Sequence, residues 1–427
     1  MNDLPALLGG TPVRNTPFPV YRTIGAEEKQ AVMAVLDSGV LSQFLGAWTP
    51  DFFGGPRVRE LEADWCRDFA VAHAVSVNSA TSGLYAAVGA AGVGPGDEVI
   101  VSPYTMSASA AAALVYGAVP VFADIDPDTY CLSAETIRAK LSERTKAVIV
   151  VDIFGHPADF APIMELAREH GLTVIEDCAQ APGALYHGKA AGTLAHMGVY
   201  SLNYHKTIHC GEGGVVVTDD QALAERLQLI RNHGEAVVKN MGYQGELSNL
   251  VGFNYRMTEI EAAIAREQLK KLPQLVARRQ ENAAYLSQGL QGLRGLGLPQ
   301  VAAGCTHGWY VYPLKHSAAA TGVSRATYLA ALRAEGVEIA AGYVEPLYLQ
   351  PLYQQKTAYG KEHFPFSLRP EVSYERGLCP VTERMHFDEL LYSPLVHADL
   401  GPAELDQVIA AFHKIDRHLD ALRSVAG

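Results

Sequence analysis

Between residues 74 and 220, short apolar runs alternate with stretches of helical periodicity. Seven runs stand out: "AVSV", "DEVIV", "VPVFADI", "KAVIVVDIF", "LTVIED", "MGVYSL" and "GGVVVT". Several are apolar at successive positions, the pattern of strands covered on both faces. Between them the spacing predicts helices at Ser82–Gly92, Ser107–Val115, Ser133–Leu141 and Phe160–Gly171. Strand and helix in turn make an α/β layered domain around a mainly parallel sheet. A longer helical pattern follows, "TEIEAAIAREQLKKLPQLVARRQENAAYLSQGL", in which Pro273 is expected to kink or break the helix. The last part of the chain has fewer strands, many tyrosines and a terminal helix, "AELDQVIAAFHKIDRHLDALRSV". The first thirty residues are rich in Pro and Gly. The expected division is an N-terminal arm (1–30) lying on a large domain (31–275), followed by a small α+β domain (276–427).

Composition narrows the function classes. The chain has 427 residues, 48% of them hydrophobic and 19% charged, as in a globular protein with a large core. A net charge of −12 and the lack of a Lys/Arg block argue against nucleic acid as a partner. The N-terminus lacks the basic and apolar regions of a signal peptide, and no run of about eighteen apolar residues predicts a membrane span. The six cysteines are scattered without a CxxC pair, which suits reduced thiols and a cytoplasmic location.

In open parallel sheets, ligands bind beyond the carboxyl ends of the strands, so the residues after each run carry the candidate chemistry. After "AVSV" come Asn78-Ser79-Ala80-Thr81-Ser82 and a helix. Hydroxyls at a helix start cap it, and the same geometry binds phosphate. "LTVIED" ends in Glu176-Asp177, and a buried strand-end carboxylate needs a cation or donors to offset desolvation. "MGVYSL" leads through Ser201 to Lys206, within "SLNYHKTIHCGEGG". A desolvated lysine there is a nucleophile able to form a Schiff base, although most lysines are simply solvated. His205, His209 and Cys210 raise a metal reading, which the glycines at 211, 213 and 214 weaken by breaking any shared helix face. No P-loop, GxGxxG after a strand, or GxSxG elbow is present.

A hydroxyl-bearing helix start, a strand-end Asp and a strand-end Lys, in that order, resemble the fold-type I pyridoxal-phosphate enzymes. More narrowly, the chain resembles the DegT/DnrJ/EryC1/StrS family of sugar aminotransferases. The matching stretches are "NSATSGLYAAV", "GPGDEVIVSPYTMSA", "PVFADIDPDTYCL", "VIEDCAQAPGA", "YSLNYHKTIHCGEGG", "RNHG", "GFNYRMTEIEAAI" and "EPLYLQPLY". The resemblance implies a seven-stranded sheet in an α/β/α sandwich, a smaller α+β domain, and pyridoxal 5'-phosphate passing through its pyridoxamine form. It implies Lys206 as the Schiff-base lysine, Asp177 at the pyridine nitrogen and Gln180 at the ring's phenolic oxygen. Ala80, Thr81 and Ser201 match phosphate-binding positions. Asn254 matches an asparagine reaching the phosphate from a neighbouring subunit, so a homodimer with interfacial sites is expected.

Two departures concern the cofactor. The family usually has Gly-Thr where this chain has Ala80-Thr81, and an aromatic residue stacked on the cofactor ring where it has Met106. A thioether also packs on aromatic rings, and Tyr104 competes for that place. The implied reaction moves an amino group from an amino acid, glutamate or glutamine, to a keto sugar, with a nucleotide-linked keto-deoxyhexose first among acceptors. Cyclitol ketones such as scyllo-inosose, reached by relatives that share the "GGTPVR" opening, and an aminated benzoate starter unit are alternatives. A dehydratase of the same family carries His at the lysine position, which Lys206 opposes. A non-catalytic binding protein has no use for a complete Lys206/Asp177/Gln180 set. Tyr343, His307, Arg256 and the loop 42–58 are candidates to face substrate.

Overall fold

The computed structural model describes residues 3–424, so the first two residues of the arm and the last three of the chain lie outside the described residues. All seven apolar runs form strands of one sheet: β1 (His73–Val77), β2 (Glu98–Val101), β3 (Val119–Phe122), β4 (Thr145–Val151), β5 (Thr173–Asp177), then β8 (Met197–Ser201) and β9 (Gly214–Thr218). A two-residue hairpin, β6 (Leu185–Tyr186) and β7 (Lys189–Ala190), intervenes. The sheet order is β1-β9-β8-β5-β4-β2-β3, and β9 alone runs against the rest. Strands β2, β8 and β9 are buried at every position, which explains their unbroken apolar runs. The helices between them are Ala80–Ala90, Ser107–Val115, Ala134–Arg138 and Phe160–His170, close to their expected bounds.

The small sheet contains β10 (Leu296–Gly297), β11 (Tyr312–His316), β12 (Ala340–Ala341) and β13 (Leu390–Ser393), in the order β10-β11-β13-β12. Its core includes Tyr312, Leu332, Leu391 and Phe412. Residues from Leu347 to Met385 instead join the core of the large sheet, through Tyr348, Tyr353, Phe366 and Tyr374.

Two expectations are corrected. Pro273 does not break its helix, which runs unbroken from Glu259 to Gly289. Pro273 lies on the exposed side of the helix, where its ring meets solvent. The arm lies first on the small domain, not the large one. The backbone N–H groups of Ala6 and Val13 donate to Glu335, and Lys414 donates to the Thr11 carbonyl. From Tyr21 onward it reaches the large domain, where Gln268 and Lys271 donate to the Thr23 carbonyl. No helix among the described residues is long and apolar enough to cross a membrane.

Candidate active site

Successive residues of a strand face opposite sides, so Glu176 and Asp177 at the end of β5 have different fates. Glu176 accepts N–H bonds from Gly192 and Leu194, away from Lys206. Asp177 faces the crevice. Its Oδ2 accepts from Ser109 Oγ at 2.8 Å and its Oδ1 from the Ala179 N–H at 3.2 Å. Burial pushes the Asp177 carboxyl above its ordinary range, while these two bonds and the Lys206 charge pull it back. Ser109 is a residue that the sequence alone did not flag. It sits in an Ala-rich helix, and only packing against β5 makes it a donor to the carboxylate.

Lys206 lies in the loop between β8 and β9. Its N–H donates to the Asn203 carbonyl at 2.9 Å. The side chain is only 8% exposed, and its Nζ stands 4.8 Å above the Tyr310 ring. Burial pulls the ammonium down to about 8, with Asp177 opposing the shift. Desolvation therefore outweighs the attraction within this pair, and part of the lysine is a free amine near neutrality.

Gln180 is held in one orientation. Its Oε1 accepts the Phe154 N–H and its Nε2 donates to Tyr343 Oη, both at 2.7 Å. A backbone donor cannot bond the NH₂ end, so the amide has only one sense here. Phe154 and Tyr343 both carry positive φ, 60° and 50°. Such backbone strain in non-glycine residues concentrates at functional sites. Tyr104 is fully buried, its ring edge-on to Phe154 and Tyr343 and its hydroxyl bonded to the Gly342 carbonyl. Met106 is exposed, and its Sδ accepts the Ala108 N–H at 3.0 Å at the start of the Ser107–Val115 helix.

The Ala80–Ala90 helix is capped by Ser79, whose Oγ accepts the Ser82 N–H at 3.0 Å. The N–H groups of Ala80 and Thr81 have no partner among the described residues and stand ready for an anion. Ser201 is buried at the adjacent end of β8. Gly214 explains one glycine of the Gly-Glu-Gly-Gly turn, since a Cβ there would stand 2.8 Å from Ala80 N and 2.9 Å from Tyr200 O. Asn254 joins this corner through its carbonyl, which accepts from Asn78 Nδ2 at 3.4 Å. Its own Oδ1 accepts from Arg256 Nε at 2.8 Å, and Arg256 also reaches Asn232.

His205, His209 and Cys210 do not converge. The His205 ring meets Tyr204 and Tyr310, the His209 N–H donates to Gln268, and Cys210 is buried against the carbonyl of Glu212. Among the described residues, the one group with metal-type donors mutually within 4.8 Å is Asp152, Glu176 and Cys178. Burial and the neighbouring Glu176 push Asp152 well above its ordinary range, so that pair retains a proton. His307 is buried and stacked on Trp309, a packing role.

A phosphate-sized anion suits the free helix start, a pyridinium suits buried Asp177, and an aldehyde suits buried Lys206. The residues present therefore fit pyridoxal phosphate.

Comparison with known proteins follows the same line. The model of the DegT/DnrJ/EryC1/StrS aminotransferase family matches residues 22–412. The chain is 37% identical over 433 aligned positions to the L-glutamine:2-deoxy-scyllo-inosose aminotransferase of Streptomyces lividus, covering 97% of each. Its structure resembles an aminotransferase from Psychrobacter cryohalolentis with TM-score 0.81 at 29% identity, covering 95% of this chain and 100% of that one. It also resembles DesI, solved in the presence of its TDP-sugar product, with TM-score 0.78 at 29% identity, covering 98% of this chain and 97% of that one.

Proposed function

The chain belongs to the DegT/DnrJ/EryC1/StrS aminotransferase family and is a transaminase, and from that premise we propose that it aminates the ketone of a polyhydroxylated carbocycle, with glutamine or glutamate as donor. The observation that carries this reading is the 37% identity to the S. lividus 2-deoxy-scyllo-inosose aminotransferase over 97% of both chains. Tyr310 beside Lys206 and Tyr343 beside Gln180 support it, because hydroxyl-bearing rings suit a neutral polyol. A second reading, a nucleotide-linked keto-deoxyhexose, is favoured by the likeness to DesI.

The proposed cofactor is pyridoxal phosphate, which when bound supplies an electron-withdrawing ring for carbanion stabilisation. Lys206, partly neutral, would take the donor's Cα proton and return it to the carbon on the other side of the amino nitrogen. Asp177 would face the ring nitrogen and favour its protonated form, and the bonds from Ser109 and Ala179 support the carboxylate against burial. Gln180 would serve the ring oxygen with its second Nε2–H, the Ala80 and Thr81 N–H groups with Ser201 would hold the phosphate, and exposed Met106 would supply a thioether for the ring. Asn254 serves the partner's site in a cytoplasmic homodimer.

The test is product mass after incubation with L-glutamine and either 2-deoxy-scyllo-inosose or a TDP-4-keto-6-deoxyhexose. Amination of the carbocycle alone supports the first reading, amination of the nucleotide sugar the second, and a deoxy product overturns both. Lys206→Ala is expected to lose turnover by more than about a hundred-fold.

A further inference from the structure

The N-terminal arm touches the loop that carries Lys206. Tyr21 Oη donates to the carbonyl of Thr207, the next residue, at 2.6 Å. Thr207 is only 2% exposed, so its carbonyl has little water to turn to when that donor is lost. Tyr21 is itself clamped. The Arg279 guanidinium lies 4.8 Å from its ring centroid, and the His397 ring 5.4 Å away. The two residues that follow it are fixed in turn: the Arg22 N–H donates to Asp399, and Gln268 donates to the Thr23 carbonyl.

Arg279 also organises the opposite wall. It is buried, and no carboxylate lies within ion-pair distance of it among the described residues. An unpaired buried cation is costly. Here its Nη1 donates to the carbonyls of Trp309 at 2.9 Å and Tyr310 at 3.4 Å. The Tyr310 ring is the surface beneath Lys206 Nζ. One arginine thus orders both the tyrosine that holds the lysine loop and the tyrosine against which the lysine amine rests. Gln268 completes the arrangement, since its Oε1 faces the His209 N–H at 3.4 Å while its Nε2 holds the arm.

We propose that Tyr21 is a positioning residue for Lys206: its hydroxyl, clamped by Arg279 and His397, holds the Thr207 carbonyl and so sets the reach of the lysine side chain toward Asp177. The proposal rests on Lys206 being the reacting amine. A misplacement of about 1 Å costs roughly a hundred-fold in rate, and a buried carbonyl that loses its partner drives such a shift.

Tyr21→Phe removes the donor and keeps the ring, so the packing against Arg279 and His397 is retained. In cofactor-free protein, the amides of residues 203–210 are expected to exchange hydrogen about ten-fold faster, with the rest of the chain unchanged. In the half-reaction of the holoenzyme with L-glutamine, the limiting rate constant is expected to fall about ten- to a hundred-fold while the half-saturating glutamine concentration, the KM of this step, stays within about two-fold. Arg22→Ala, an exposed side chain beside it, should move neither reading. Unchanged exchange in the loop, exchange raised throughout the chain, or a loss carried by KM would each overturn the proposal. Exchange in the cofactor-free chain tests the clamp whatever Lys206 does. Full turnover by Lys206→Ala would instead sink the reading of the lysine.

Discussion

Lys206 and Asp177 face each other in a site where burial disfavours both charges. The neutral amine is the nucleophile, so lysine reactivity rises with pH. In cofactor-free protein, labelling of Lys206 by a small amine-directed reagent should be half-maximal near pH 8, against an ordinary lysine value of 10.5. Peptide mass mapping across pH checks this, and a midpoint near 10 would mean that the pocket is wet. At this scale the sequence was most informative where a residue type has few uses, such as a lysine or an aspartate at a strand end. It was silent on Ser109 and Tyr21, because serine in an Ala-rich helix and tyrosine in a Pro-rich arm have many uses. Only contact makes them donors to Asp177 and Thr207.

Among elements, the seven strands were legible because burial on both faces writes itself as consecutive apolar residues. The helix from Glu259 to Gly289 shows where local rules fall short. Its residues up to Val276 pack on the large domain and those from Ala283 on the small one, and that burial outweighs the local penalty of Pro273. Pro273→Ala restores an N–H donor at an exposed position and should stabilise the protein by roughly 1–3 kcal/mol. Urea denaturation reads the gain, and a loss would show that the proline sets a bend which the two-domain packing requires.

For the whole molecule, the arm touches both domains, and a buried ion pair anchors it to the small one. Lys414 Nζ lies 2.9 Å from Glu335 Oε2, with the side chains 7% and 0% exposed. Glu335 also accepts the N–H groups of Ala6 and Val13, so it anchors the arm upstream of Tyr21. Lys414→Met leaves a buried carboxylate without its cation and should cost about 3–5 kcal/mol. The melting temperature checks this. Limited proteolysis within the first twenty residues should accelerate in the same variant, and an unchanged digestion rate would count against the anchor.

The sequence by itself determined the sheet, the order of its strands along the chain and the residues that follow their carboxyl ends, because periodicity and residue type are local properties. It also carried the family resemblance, spread over many short stretches. Only the tertiary structure decided where the arm lies, that Pro273 leaves its helix whole, which way the Gln180 amide points, and that His205, His209 and Cys210 stay apart. Those outcomes depend on groups brought together from distant parts of the chain, such as Tyr21, Thr207 and Arg279. Their free energies come from burial and pairing that exist only once the chain has folded.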